Sequence, residues 1–211
     1  MQLRPYQRRT NNTVRSNWRN GAKRQVIVCP TGGGKSVMGA ELVQSARAAN
    51  ASVLAIAHRR ELISQLCDHF GSEAAAICPG FPRRPDAPIQ VATIQTLLAS
   101  GLRPKADMIL WDECHHVVSD EWQKLLHDYS GVRVCGLTAT PSRADGRALG
   151  DIFDQMVVSA SYSELIREGF IVPTRVYQAT GVMGADLALD PVRAMQKYGR
   201  KPAFVFCRDI P

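Results

Sequence analysis

A run of apolar and β-branched residues, Val26-Ile27-Val28-Cys29, ends directly on Pro30-Thr31-Gly32-Gly33-Gly34-Lys35-Ser36, and a helical pattern starts at Lys35. A buried strand, a tight glycine turn and a helix in immediate succession commit this stretch to a strand-loop-helix unit with the loop at the strand's carboxyl end. Such a loop suits phosphate. Glycines let backbone N–H groups turn inward around β- and γ-phosphates, the helix N-terminus adds partial positive charge, Lys35 neutralises phosphate oxygens and Ser36 offers a hydroxyl to Mg²⁺. Thr31, Gly32, Gly33, Gly34, Lys35 and Ser36 are therefore the candidate triphosphate-binding residues. The first glycine of the general G-x-x-x-x-G-K-[ST] pattern would fall at Cys29, a departure. A glycine-rich turn with an incidental lysine is the plainer explanation, and the flanking strand and helix argue against it.

The rest of the chain repeats the alternation. Short buried-strand patterns occur at Gln25 to Cys29, Ser52 to Ala57, Ile89 to Thr93, Asp107 to Trp111 and Val132 to Leu137. Helical patterns lie between them at Lys35 to Ala49, Arg60 to Phe70, Ile94 to Ser100 and Asp120 to Tyr129. A further helix is opened by a capping box, Ser161 with Glu164, and stopped by Gly169. This order predicts a doubly wound α/β domain with a mostly parallel sheet covered on both faces. A domain is expected over 1–178, a linker over 179–200, and the opening strand of a second domain over 201–211, where Ala203-Phe204-Val205-Phe206-Cys207 is a new buried-strand pattern.

Composition narrows the class. With 45% apolar residues the chain can bury a substantial core, and no apolar run approaches the roughly 20 residues that span a bilayer. Secretion and membrane insertion are not expected. Six cysteines are scattered singly with no C-x-x-C pair, which predicts reduced core thiols. The net charge of +7 is entirely local, because Arg4, Arg8, Arg9, Arg15, Arg19, Lys23 and Arg24 fall in the first 24 residues without one acid. A phosphate-rich partner and a merely solvated helix face explain that arm equally well.

A phosphate loop needs a carboxylate to hold a metal ion, and Met108-Ile109-Leu110-Trp111-Asp112-Glu113 supplies two acids at a strand end. Asp112 would bind Mg²⁺, with Ser36, and Glu113 would orient and deprotonate the attacking water. Asp112-Glu113-Cys114-His115 resembles motif II of the superfamily 2 helicases in its D-E-C-H form, and Thr138-Ala139-Thr140-Pro141, 26 residues beyond Asp112, resembles motif III. The resemblance implies a RecA-like ATPase domain in which His115, Thr138 and Thr140 couple the nucleotide to nucleic acid. Adjacent His115 and His116 beside Cys114 lack the spaced ligand pairs of a zinc site.

Three further segments carry the same resemblance. Leu3-Arg4-Pro5-Tyr6-Gln7 is similar to the family's adenine-reading segment, which implies that Gln7 pairs with the adenine edge while Arg4 packs near the base. Ala57-His58-Arg59-Arg60-Glu61-Leu62 resembles motif Ia, and Val91-Ala92-Thr93-Ile94-Gln95-Thr96-Leu97 resembles the threonine-bearing strand contact. His58, Arg59, Arg60, Thr93 and Gln95 are thus implied nucleic-acid contacts, at strand ends where open α/β sheets bind ligands. Taken singly, capped helix starts would explain both segments. Tyr162 to Pro173 resembles the segment closing the first motor domain in bacterial and phage relatives of the restriction-translocase branch.

The resemblance implies ATP and Mg²⁺ as cofactors, DNA rather than RNA as partner, and a place in the cytoplasm of a bacterial or phage-infected cell. It leaves oligomeric state open. Because the family draws arginine fingers from a second motor domain, the chain alone is expected to bind ATP, hydrolyse it poorly and unwind nothing. Two rivals remain: a nucleotide-gated nucleic-acid-binding module without motor activity, and a P-loop NTPase with a small-molecule acceptor.

Overall fold

Strand-forming segments in this chain are only four to six residues long, and most are buried along their whole length. Such segments need cover on both faces, which helices between them provide. The computed structural model describes residues 2–57, 59–116, 125–141 and 149–173. They form α1 (Pro5–Arg19), β1 (Arg24–Val28), α2 (Lys35–Ala48), β2 (Val53–Ala57), α3 (Glu61–Phe70), β3 (Ala74–Ile77), β4 (Ile89–Thr93), α4 (Ile94–Ser100), β5 (Met108–Trp111), β6 (Arg133–Thr138), β7 (Gln155–Val158) and α5 (Tyr162–Arg167). One unit runs from Met1 to Ile171; of the second, Val172–Pro211, only residues 172–173 are described. The expected linker and terminal strand lie outside the described residues.

The strands make one sheet in the order β3-β4-β2-β5-β6-β1-β7, and every described pairing is parallel. All carboxyl ends therefore open on one edge. Alternate side chains go to two cores. Ile27, Val53, Ala55, Val91 and Leu137 meet α1, α2 and α3 through Val14, Met38, Leu42 and Ile63. Val26, Val28, Ile56, Ile109 and Trp111 meet the opposite layer, with Ile94 and Leu97 of α4, Leu125, Leu126 and Phe153. The expected doubly wound architecture is the one found.

All five expected strands are present, with ends displaced by a residue or so. Two strands were not anticipated, and the helix offered as one explanation of the basic arm is present. Strand β3 is Ala74-Ala75-Ala76-Ile77, a composition with little intrinsic strand preference, and its pairing with β4 and full burial impose the conformation. Strand β7 is an edge whose Met156 and Val158 are exposed, so it lacks a buried run. Helix α1 is mostly polar and is held by Tyr6, Gln7, Thr10, Asn11 and Val14. Of the helix expected over Asp120 to Tyr129, residues 125–129 are described, 125–128 as helix and Tyr129 as a turn.

Helix α2 approaches the sheet closely at Gly39, where an added Cβ would lie 2.8 Å from Leu137 Cδ1 and 3.1 Å from Leu110 Cδ2. Replacing a helix-interior glycine by alanine gains roughly 0.5–1 kcal/mol of helix propensity. Overpacking a close-packed core costs about 1–3 kcal/mol, so the clash outweighs the propensity. Gly39→Ala is expected to lower stability by about 1 kcal/mol in a chemical-denaturation midpoint at unchanged m-value.

Candidate nucleotide site at the carboxyl edge of the sheet

Strand β1 is flanked by β6 and β7, and the ladder continues past its end, with Cys29 N–H donating to the Thr138 carbonyl at 2.9 Å. The chain then turns through Pro30 to Gly34, and the Gly33 N–H closes on the Pro30 carbonyl at 2.9 Å. Gly34 caps α2 with φ +81°, a left-handed conformation that suits glycine. Thr31, Gly32 and Ser36 are exposed at the mouth, and Gly33 is buried beneath them. Cys29 lies under this turn, in the position where the general pattern has glycine. A Cβ on Gly33 would come within 2.5 Å of Cys29 Sγ and 3.0 Å of the Pro30 carbonyl. The thiol therefore fits only because Gly33 has no side chain.

Helix α1 is wired to the same loop. Tyr6 donates its hydroxyl to the Gly33 carbonyl at 2.6 Å, and Gln7 Nε2 donates to that carbonyl at 3.2 Å. Gln7 Oε1 accepts from the Arg4 N–H at 2.9 Å, closing a capping box, and Gln7 is only 3% exposed. The Arg4 guanidinium lies over the Phe170 ring, 4.3 Å from its centroid, and Tyr6 packs at a tilt on the same ring. Tyr6 and Phe170 were not singled out from sequence. Both lie inside segments that carry the family resemblance, Leu3 to Gln7 and Tyr162 to Pro173, but they are 164 residues apart and nothing local signals that they meet.

On the other side of β6, β5 delivers Asp112 and Glu113. Glu113 has φ +48°, which among described non-glycine residues only Asn50 shares in kind. Its Oε1 lies 3.6 Å from Lys35 Nζ and its Oε2 3.3 Å from His115 Nδ1. Burial raises the Asp112 pKa, with the Glu113 charge adding to the rise, while the Glu113 N–H and Lys35 oppose it. That N–H donates to Asp112 Oδ1 at 3.1 Å. Asp112 and Ser36 supply hard oxygen donors at one sheet edge, which fits Mg²⁺ better than a softer metal. Burial pushes the Cys114 thiol well up and the Cys135 thiol up to about 12, so both are inert packing groups.

Thr138, fully buried at the end of β6, ties these groups together. Its hydroxyl donates to the Thr140 carbonyl at 2.8 Å and accepts from the Thr140 N–H at 3.0 Å. His115 Nδ1 lies 2.9 Å from the same oxygen. A hydroxyl has one proton to give, and Thr140 has it, so Nδ1 is the donor and carries hydrogen toward both Thr138 and Glu113.

The residues expected at nucleic acid lie along the same edge, over β2 and β4. Arg59 and Gln95 are exposed. Arg60 is exposed but donates to the Pro79 carbonyl at 2.8 Å. Thr93 is 6% exposed, and its hydroxyl caps α4 by accepting from the Thr96 N–H at 3.2 Å. His58 lies outside the described residues.

A phosphate loop on β1, an acidic pair on β5 and Thr138-Ala139-Thr140 on the intervening β6 define a motor domain of the superfamily 2 helicase type. The chain belongs to the family described as type III restriction enzyme, res subunit, which its residues 1–143 match. It is 31% identical over 157 residues to a 51.5 kDa protein of a Lactococcus phage, covering 74% of this chain and 33% of that one. It is 30% identical over 192 residues to the DNA 3'-5' helicase XPB of Kineococcus radiotolerans, covering 81% and 32%. The chain thus spans about a third of the length of these curated relatives. The crystal structure of the UvsW helicase from bacteriophage T4 superposes with a TM-score of 0.63 at 20% identity, over 75% of this chain and 60% of that one, a likeness of fold.

Packing around Gly33 yields a paired test. Gly33→Ala is expected to leave the chain folded but weaken ATP binding at least tenfold, measured with a fluorescent ATP analogue. Adding Cys29→Ala removes the nearest clash and is expected to restore part of that affinity, the Pro30 carbonyl remaining in the way.

Proposed function

We propose that this chain is the ATP- and Mg²⁺-binding half of a motor that acts on nucleic acid. The observation that carries the reading is the unbroken series of contacts from Lys35 through Glu113 and His115 to Thr138 and Thr140. An entering triphosphate competes with Glu113 for Lys35 and frees the carboxylate. Glu113 is then the proposed general base, accepting a proton from the attacking water. Mg²⁺ when bound, held by Ser36 and Asp112, supplies charge neutralisation at the phosphates. Arg4 and Gln7 are proposed to border the adenine, so the base-side residues act on the loop directly through Gly33.

Coupling is assigned to the second half of the series. A shift of Glu113 moves the acceptor for the His115 proton and thereby the Thr138 hydroxyl on which Thr140 hangs. Arg59, Arg60, Thr93 and Gln95 are the proposed contacts to a strand crossing the edge over β2 and β4. Arg60 has to leave the Pro79 carbonyl to take part, and Thr93 contributes by shaping the α4 start rather than by a free hydroxyl. DNA is the favoured partner, supported by a relative named as a DNA helicase, and a phage relative supports a bacterial or phage-infected cytoplasm.

Glu113→Gln is expected to keep ATP affinity while single-turnover hydrolysis falls by about 10²–10⁴. Retention of wild-type hydrolysis in that variant would sink the assignment of the base. Thr138→Val leaves the Thr140 N–H without its partner and cuts the contact between His115 and Thr138, His115 keeping Glu113. It is expected to preserve ATP binding and abolish the dependence of single-stranded DNA affinity on ATP, read by fluorescence anisotropy. A dependence equal to wild type would remove Thr138 from the coupling path.

A further inference from the structure

The basic N-terminal arm is not used by the strand-edge site, and the fold shows where its charge goes. Helix α1 buries Tyr6, Val14 and Asn11 and turns Arg8, Arg9, Asn12, Thr13, Arg19 and then Lys23 outward. With Ser16 counted, the helical ones recur every three to four residues along one face, Arg8 to Arg19 spanning about 16 Å, and Lys23 follows in the loop beyond the helix end. Arg8, Arg9, Asn12, Thr13 and Ser16 line a shallow hollow on that face. The first acid in the chain is Glu41.

Acids on neighbouring elements are already engaged. Glu41 holds Arg15 at 2.5 Å and Asn11 at 2.6 Å. Asp154 accepts the Lys23 and Arg24 backbone N–H groups at 2.8 and 2.9 Å, and Glu164 is bound into the α5 cap by Ser161, with the Arg9 charge a minor influence on it. Arg15 is thus the one α1 arginine neutralised by a described ion pair.

This distribution works against the helix. The first turn of α1 has no acid, and Arg8 and Arg9 follow it where the partial positive charge of the helix start disfavours cations. A face selected only for solvation and helix stability would intersperse acids three or four residues from the arginines. The composition between the cations is Asn, Thr and Ser, all hydrogen-bonding and none apolar, and the apolar side of α1 is buried in the domain. The exposed Met156 and Val158 of β7 flank Arg9 and Thr13, but two side chains on a strand edge fall short of the continuous apolar face that a membrane surface wants. A phosphodiester backbone wants what is present: guanidinium groups in a row with short polar donors between them.

We propose that the outer face of α1 docks the backbone of duplex DNA, through Arg8, Arg9 and Arg19 with Lys23 in the loop that follows the helix, as a surface separate from the strand-edge loops over β2 and β4. Contact there is sequence-independent and does not require ATP. Because α1 starts at the phosphate loop and runs toward the opposite edge of the sheet, the duplex lies along the flank of the domain rather than across its carboxyl edge.

The test uses the full 211-residue chain, a short labelled duplex and fluorescence anisotropy without nucleotide. Between about 50 and 200 mM salt, the Arg8→Gln, Arg9→Gln, Arg19→Gln, Lys23→Gln variant is expected to bind at least tenfold more weakly, with a log-log salt slope shallower by about three to four. ATP-analogue affinity and ATP-dependent binding of single-stranded DNA stay as in wild type. The corresponding all-lysine variant recovers the slope, since point charges suffice. Wild-type duplex affinity and slope in the glutamine variant would overturn the proposal, as would anionic vesicles binding the chain as tightly as duplex does. Failure of the motor reading shows separately, as loss of ATP-dependent single-strand binding in the wild-type chain.

Discussion

One ladder sets the geometry of the site. Strand β1 pairs with β6 so that Val28 stands opposite Thr138, and the next hydrogen bond, Cys29 to Thr138, falls where β1 becomes the phosphate loop. Since β5 is the other neighbour of β6, the acidic pair comes up on the far side of Thr138. Three loops that are remote in the chain are therefore held a strand spacing apart, about 4.8 Å, by backbone bonds that no side-chain substitution removes. A register slip of one residue would exchange the faces of every strand side chain, which makes the two cores the guardians of this alignment.

Side-chain contacts within that frame are individually weak. The Lys35–Glu113 pair, 3.6 Å apart with both partners partly exposed, contributes little to stability once solvent screening is allowed for. Its effect is positional, holding the carboxylate toward the loop. Stronger constraints come from buried, fully satisfied groups. Thr138 has its hydroxyl shared among three partners, and Tyr6 has its hydroxyl on Gly33 at 2.6 Å. The domain thus fixes the two ends of its proposed relay, at Gly33 and Thr140, and leaves Glu113 between them more loosely held.

Much of the fold was legible because its signals are local. A buried strand running into Gly34-Lys35-Ser36 and another running into Asp112-Glu113 needed no knowledge of the rest of the chain. What escaped had tertiary causes. The Ala74 to Ile77 strand exists because β4 offers it an edge, against the preference of three consecutive alanines for helix. Phe170 lies under Arg4 only after the chain has closed back on α1. The involvement of Thr93 in a cap, and of Arg60 with the Pro79 carbonyl, likewise appears only when partners are in place. Residue type at a strand end indicates which groups face the edge, but not which of them are already bonded.

Glu113 occupies a backbone region that costs an L-residue with a side chain roughly 1–2 kcal/mol, and glycine or asparagine there would relieve much of it. Either replacement would relieve backbone strain and give up the contacts that the glutamate makes with Lys35 of the phosphate loop and with His115. The acidic turn is thus a place where backbone strain is stored directly beside the phosphate loop, held by the two contacts the carboxylate makes.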